Sequence, residues 1–391
     1  MSHGLFPDEG KPEPRRAGVL ASQEIKELIR NGKLRSTVDV TADQIQPASI
    51  DLRLGTIAYQ VEASFLPSRS SLVSAKIRDL KKAELDLTKP AELKTDAVYV
   101  IPIIESLALP KDISAKANPK STTGRLDIFT RLMTDAGESF DEVPAGYSGD
   151  LYLEVYTRTF PVVVKAGSKL NQVRFVRGEA EIDDVDLQRI ADKLVYFPDD
   201  EAESTKPNIK GGLRISVDLR GDNRNTVVAY RAKRKCPAID LSKVGAYDPA
   251  KYWEPTYSTE KLVLKPGDFY LLASNEGVGV PPKYAAEMEQ YDSSIGEFSV
   301  HYAGFFDPGF GFGASGEIKG TKAVLEVRAH ELPVLLENRQ PVGRIRYYRM
   351  SNIPEKIYGQ AIGSSYQQQG LALSKQFRST PVASELAATG S

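Results

Sequence analysis

The stretch DLYLEVYT, residues 150–157, contains a leucine, a glutamate and a valine that return in AVLEVRAHELPVLL, residues 323–336. Leu153, Glu154 and Val155 fall on Leu325, Glu326 and Val327, an offset of 172 positions. The same offset carries Pro110 and Lys111 onto Pro282 and Lys283, and Ser121 and Gly124 onto Ser293 and Gly296. Asp135 and Gly137 fall on Asp307 and Gly309, Pro161 and Val162 on Pro333 and Val334, and Arg174 on Arg346. Nearer each start, SIDLRLG (49–55) echoes SVDLRG (216–221) at an offset of 167. A series this long at nearly one spacing is the mark of an internal repeat.

Each copy reads as short strands between turns. DLYLEVYT, FPVVVKAG (160–167), KLVLKPGDFYLLAS (261–274) and AVLEVRAHELPVLL are rich in β-branched and aromatic residues, with Gly, Pro and Asn between them. Helices are few. SQEIKELIRNG (22–32) places Ile25, Leu28 and Ile29 on one face, with Ser22 to cap it and Gly32 to end it. VDLQRIADKL (185–194) predicts a second helix in the connection. The expectation is an all-β chain of two tandem distorted β-barrels with a few short helices. Residues 1–20 read as a disordered arm, 21–195 as the first barrel, 196–209 as an acidic linker and 210–350 as the second barrel. Residues 351–391 read as a C-terminal closing segment and loose tail.

With 391 residues the chain suits two domains. Its net charge of -1 gives no general attraction to nucleic acid or membrane, so an anion site must be local. No apolar run approaches a membrane span, and the N-terminus lacks the apolar core of a signal peptide. Cys236 is the single cysteine, which excludes an intramolecular disulfide and fits a cytoplasmic protein. The histidines are His3, His301 and His330, so a zinc site of nitrogen and sulfur ligands finds few donors.

Two groups of residues could carry chemistry. In a strand, Leu153 and Val155 take one face and Glu154 the other, and Glu326 sits likewise. Such a carboxylate faces solvent in the plain reading, or acts as a general base if a cleft holds it. KSTTGR (120–125) offers hydroxyls, backbone N–H groups and a guanidinium, the parts of an anion clamp or of an ordinary polar turn. At the equivalent place DSSIGE (292–297) keeps the serine and glycine but has Asp292 and Glu297 where Lys120 and Arg125 stand. PGFGFGASGEIKG (308–320) lacks the Gly-Lys-Ser/Thr of a P-loop and reads as a flexible hairpin. YGQAIGSSYQQQG (358–370) reads as a polar tail or as a flap over ligand.

These pieces, in this order, resemble the dCTP deaminase branch of the dUTPase-like superfamily. IQPASIDLRLG (45–55) resembles its N-terminal signature, PKSTTGR its phosphate loop, and HYAGFFDPGF (301–310) followed by VLEV (324–327) its base and sugar pocket. GSSYQQQGLALSKQF (363–377) resembles its closing segment. The resemblance implies a distorted dUTPase-like β-barrel, normally a homotrimer with active sites between subunits, and so a homo-oligomer here. It implies hydrolytic deamination of dCTP to dUTP and ammonia, with Mg²⁺ accompanying the triphosphate and no zinc. The H-x-E and P-C-x-x-C signature of zinc deaminases is missing from the sequence. dTTP inhibits some members.

The family has one barrel per chain, and the tandem repeat departs from that. It suggests one composite site per chain. Ser121 and Arg125 come from the first repeat, with Lys120 and Thr122 beside them toward the phosphates. Glu326 from the second repeat is the catalytic carboxylate; Ala303 gives a backbone carbonyl to the water, and Asp307 accepts the ribose 3′-OH. Arg131 stands where the second repeat has Ala303 and should crowd the other base pocket. Tyr358 and Gln368 close from the tail. The family's tail lysine falls on Ser365, leaving Lys356 and Lys375 as substitutes. A dUTPase, a bifunctional enzyme making dUMP from dCTP, and a nucleotide-binding module without catalysis are the competing readings.

Overall fold

The computed structural model describes residues 16–69, 71–197, 206–222, 225–289, 298–301, 304–359 and 370–378, with 298–301 described by backbone alone. The chain is all-β with a few short helices. In the first half, strand Ser148–Thr157 lies between Val98–Ala108 and Ile128–Thr134, all antiparallel. In the second half, Thr321–Ala329 lies between Phe269–Val278 and Phe298–His301 in the same order. The repeat is therefore a repeat of topology. A second sheet in each half, built on Asn171–Arg177 and on Pro341–Arg349, packs its apolar face inward.

Burial follows the strand period. Leu153 and Val155 are fully buried, as are Leu325 and Val327. The core of the first half also takes in residues of the second, including Ile239, Trp253 and Phe377. Ile239–Asp240 pairs in parallel with Val162–Val164, so the segment before Trp253 adds a strand to the first barrel. Phe377 packs edge-on against Tyr252 and Trp253, with ring centroids 5.4 and 6.0 Å apart, and anchors the chain's closing segment there.

Several local expectations change. The first helix spans Ser22–Arg30, but Ala21 is its N-cap. Glu24 reaches back and accepts the Ala21 N–H at 3.0 Å, the carboxylate half of a capping box, while no side-chain hydroxyl caps the helix. Gly18–Val19, expected in a disordered arm, pairs with Asn171–Arg177, because the apolar run after Arg16 has a strand edge to join. VDLQRIADKL divides into a helix, Asp184–Gln188, and a 3₁₀ turn, Ala191–Lys193. Val73–Leu80 is a helix that the sequence reading lacked. The glycine-rich 308–320 segment is a packed turn rather than a flexible hairpin. A Cβ at Gly311 would lie 2.0 Å from the Val278 carbonyl oxygen, so only glycine fits. Among the described residues no helix is long and apolar enough to cross a membrane.

Candidate active site

The alternation that buries Leu325 and Val327 turns Glu326 to the other face of its strand, where solvent would be expected. Glu326 is only 6% exposed. The first half of the chain covers it. Ser121 and Arg125 line the same small pocket, about 60 Å³, together with Glu326, Phe305, Tyr358 and Ala372. Burial pushes the Glu326 carboxyl up to about 8, while Arg125 pulls it back down. Ser121–Gly124 form one helical turn, and Arg125 follows it with its Nη1 donating to the Ala372 carbonyl at 3.1 Å. The closing segment is thus fastened to the loop, and Ser374 Oγ adds a bond to the Thr122 carbonyl at 2.9 Å.

A wider groove of about 530 Å³ opens beside this pocket and shares Ser121, Phe305 and Tyr358 with it. Lys120, Lys165, Lys169 and Lys375 stand around it. Lys120 is held by Asp51 of the SIDLRLG signature at 2.5 Å. The ammonium of Lys375 is held below its usual range by burial first and by repulsion from Lys120 next. Asp43, Asp51 and Asp307 share this wall, and Lys169 is paired with Asp43 at 2.5 Å, so four ammonium groups face three carboxylates and the groove keeps a small positive excess toward an anion. Asp307 lies in the groove wall, its carboxyl raised by burial against the opposing pull of Arg174. Arg174 comes from the first half. It donates to the carbonyls of Ala286 at 3.0 Å and Phe306 at 3.3 Å, reaches Asp307 Oδ1 at 3.4 Å and stacks on Phe305 at 4.0 Å. Phe310 lies against Phe306 and Tyr358, centroids 5.0 and 5.4 Å away, and sets Tyr358 at the mouth.

Of the residues expected together, Glu326, Ser121, Arg125 and Tyr358 meet at the inner pocket, and Lys120, Thr122 and Asp307 line the groove. Ala303, Gln368, Asp292 and Glu297 lie outside the described residues. Lys375, not Lys356, lies at the groove. The equivalence of Ala303 with Arg131 does not survive in strand register: Arg131 opposes Glu154, whereas His301 opposes Glu326. The constant offset slips by two residues at this edge strand. Sequence reasoning missed Arg174, Lys165 and Lys169. The signal for Arg174 was an arginine set between Val173 and Phe175 in the apolar alternation of NQVRFVR. The two lysines flank a turn, AGS, and nothing local separates them from surface lysines.

The equivalent glutamate of the first half is also buried, 2% exposed, but its Oε1 is paired within its own sheet, while its Oε2 has no hydrogen-bond partner among the described residues. Arg131 gives Glu154 Oε1 two bonds, from Nε at 2.9 Å and Nη2 at 2.5 Å, with its guanidinium 3.8 Å from the Phe140 ring centroid. Among the described residues no group of three or more His, Cys, Asp or Glu side chains could hold a metal ion.

Residues 16–179 match the family model for the N-terminal domain of 2'-deoxycytidine 5'-triphosphate deaminase, and residues 183–377 that for its C-terminal domain. The chain belongs to the dCTP deaminase family. These are hydrolytic deaminases. The crystal structure of 2'-deoxycytidine 5'-triphosphate deaminase from Agrobacterium tumefaciens is 47% identical, with a TM-score of 0.80, over 85% of this chain and 99% of that one. A curated relative from Dictyoglomus thermophilum, named dCTP deaminase, dUMP-forming, is 30% identical over 165 residues, 41% of this chain and 80% of its own. One of the same name from Beutenbergia cavernae is 33% identical over 171 residues, 41% of this chain and 84% of its own. The match to that structure covers 85% of this chain and so runs through both halves, whereas each of these shorter relatives covers under half of the chain.

Proposed function

We propose that the chain hydrolyses dCTP to dUTP and ammonia at one composite site, assembled from both of its barrels. The observation that carries this reading is the shared pocket: Glu326 of the second half lies with Ser121 and Arg125 of the first. The triphosphate lies along the lysine groove. Mg²⁺ arrives bound to it, as part of the substrate. Asp51 Oδ1, buried without a hydrogen-bond partner among the described residues, is an oxygen donor in reach of that groove. Asp307 accepts the sugar hydroxyl, and Tyr358 and Lys375 close the site over base and phosphates.

In this reading Glu326 takes a proton from water, and the hydroxide adds to C4 of cytosine. The glutamate passes that proton to N3. The C4–N4 bond then breaks, the remaining hydroxyl proton goes to the leaving nitrogen, and ammonia and the uracil ring result. No zinc takes part; the water is activated by the carboxylate and by position. Ser121 and the Ala303 carbonyl hold the water, and Arg125 offsets charge beside it. A carboxyl raised to about 8 by burial is poised to hold and release a proton near neutral pH.

A second reading is supported by the curated relatives' names, which specify dUMP as product. Incubation with dCTP and Mg²⁺, with nucleotides separated and ammonia assayed, distinguishes them. Ammonia with equimolar dUTP supports the first reading. Ammonia with dUMP and pyrophosphate supports the second. A raised melting temperature with dCTP but no ammonia would overturn both.

A further inference from the structure

We propose that Asp127 and Arg328 form a cross-barrel tie that fixes the separation of the Ser121–Arg125 loop from Glu326, and so act as positioning residues for the deamination. This rests on the composite-site reading. Asp127 is two residues beyond Arg125, at the end of the loop. It is fully buried, with φ of 57°, a left-handed conformation unusual for a residue with a side chain. Its backbone closes the turn: its N–H donates to the Gly124 carbonyl at 2.9 Å, and its own carbonyl accepts from Arg158 at 3.2 Å. A shift of Asp127 therefore moves Arg125.

Arg328 is two residues beyond Glu326 on the same strand, so both side chains leave the same face. Its guanidinium reaches out of the second barrel and pairs with the Asp127 carboxylate. Thr159 completes the junction, donating to Asp127 Oδ2 at 2.5 Å and accepting from Arg328 at 3.1 Å. The other end of the same guanidinium donates to the Gly267 carbonyl of its own barrel. The tie thus joins a residue two places beyond Arg125 to one two places beyond Glu326, across the boundary over which the site is assembled.

The repeat has no second copy of it. In strand register Tyr156 stands where Arg328 does, two residues beyond the glutamate, so the guanidinium has no counterpart. The charge pair occurs only at the junction where Glu326 meets Arg125, and not where Glu154 is neutralised by Arg131. A buried ion pair contributes little net stability against apolar residues of the same shape, whereas it fixes geometry well. Misplacement of reacting groups by about 1 Å can cost 10²-fold in rate.

The test is steady-state kinetics on dCTP with melting temperatures for Asp127→Asn, Arg328→Gln and the double variant, beside the unaltered chain. The expected result is kcat lower by about 10- to 100-fold in each single variant, with KM within about 2-fold. The double variant should lose no more than the worse single one, since both remove the same tie. Arg328→Lys, which keeps the charge, should regain part of the loss and stands in if Asp127→Asn does not fold. Unchanged kcat in folded variants, a loss confined to KM, or single losses that multiply in the double variant would overturn the proposal. If the unaltered chain releases no ammonia, the composite-site reading fails first, and the two failures are distinct.

Discussion

Glu154 and Glu326 occupy the same place in two copies of one fold, and both are buried, yet their surroundings differ in the one respect that decides chemistry. Glu154 is ion-paired through Oε1 with Arg131 from the neighbouring strand of its own barrel. Glu326 faces a pocket, and the cation nearest in effect is Arg125 of the other barrel. A buried carboxylate answered by its own sheet is a structural group. One answered only across a junction, with room before it, keeps its proton affinity for a ligand. In the composite-site reading, one barrel supplies the loop and the other the pocket.

The largest expected effect separates the two carboxylates directly. Glu326→Gln should lower kcat by about 10³-fold or more, and Glu154→Gln by less than about 3-fold, measured as ammonia release from dCTP. Next comes the loop: Arg125→Gln should cost about 10²-fold in kcat/KM, since it removes the cation that lowers the Glu326 carboxyl.

The pH dependence follows from the same environment. With Glu326 raised to about 8, the free site is mostly protonated at neutral pH. If the carboxylate is the base, kcat/KM should rise with pH and level above about 8. The stability sign is opposite. Between the ordinary carboxylate range and about 8, the unfolded chain releases a proton that the folded chain keeps, so stability falls as pH rises. Glu326→Gln lacks that slope, and its melting temperature should overtake the unaltered chain's by several degrees near pH 8. Glu154→Gln should do the reverse and destabilise by about 1–3 kcal/mol, because it weakens Arg131's charged partner. The smallest effect belongs to the groove: Lys375→Ala should raise KM for dCTP about 3- to 10-fold, with little change in kcat.

The repeat made much of this legible in the sequence. Two glutamates at a constant offset and a loop that keeps its cations in one copy only point to one composite site. What stayed hidden has a common physical cause. Arg174, Lys165, Lys169 and the Asp127–Arg328 pair work through contacts between residues far apart in the chain, and no local pattern sets them apart. The strand edge at 298–301 slips in register because a constant offset assumes equal strand lengths. The cap falls on Ala21, one residue before Ser22, because Glu24 reaches back to the Ala21 N–H, a contact that the serine-cap pattern does not show. Asp292 and Glu297, whose charge reversal argued for the division of labour, lie outside the described residues.

The central claim is one working site per chain, built from both barrels. Calorimetric titration of the Glu326→Gln variant with dCTP and Mg²⁺ counts sites without turnover. A composite site predicts one dCTP bound per chain, and loss of that binding when the Lys120 and Arg125 cations are also removed. Two dCTP per chain, or binding untouched by the loss of those cations, would contradict it.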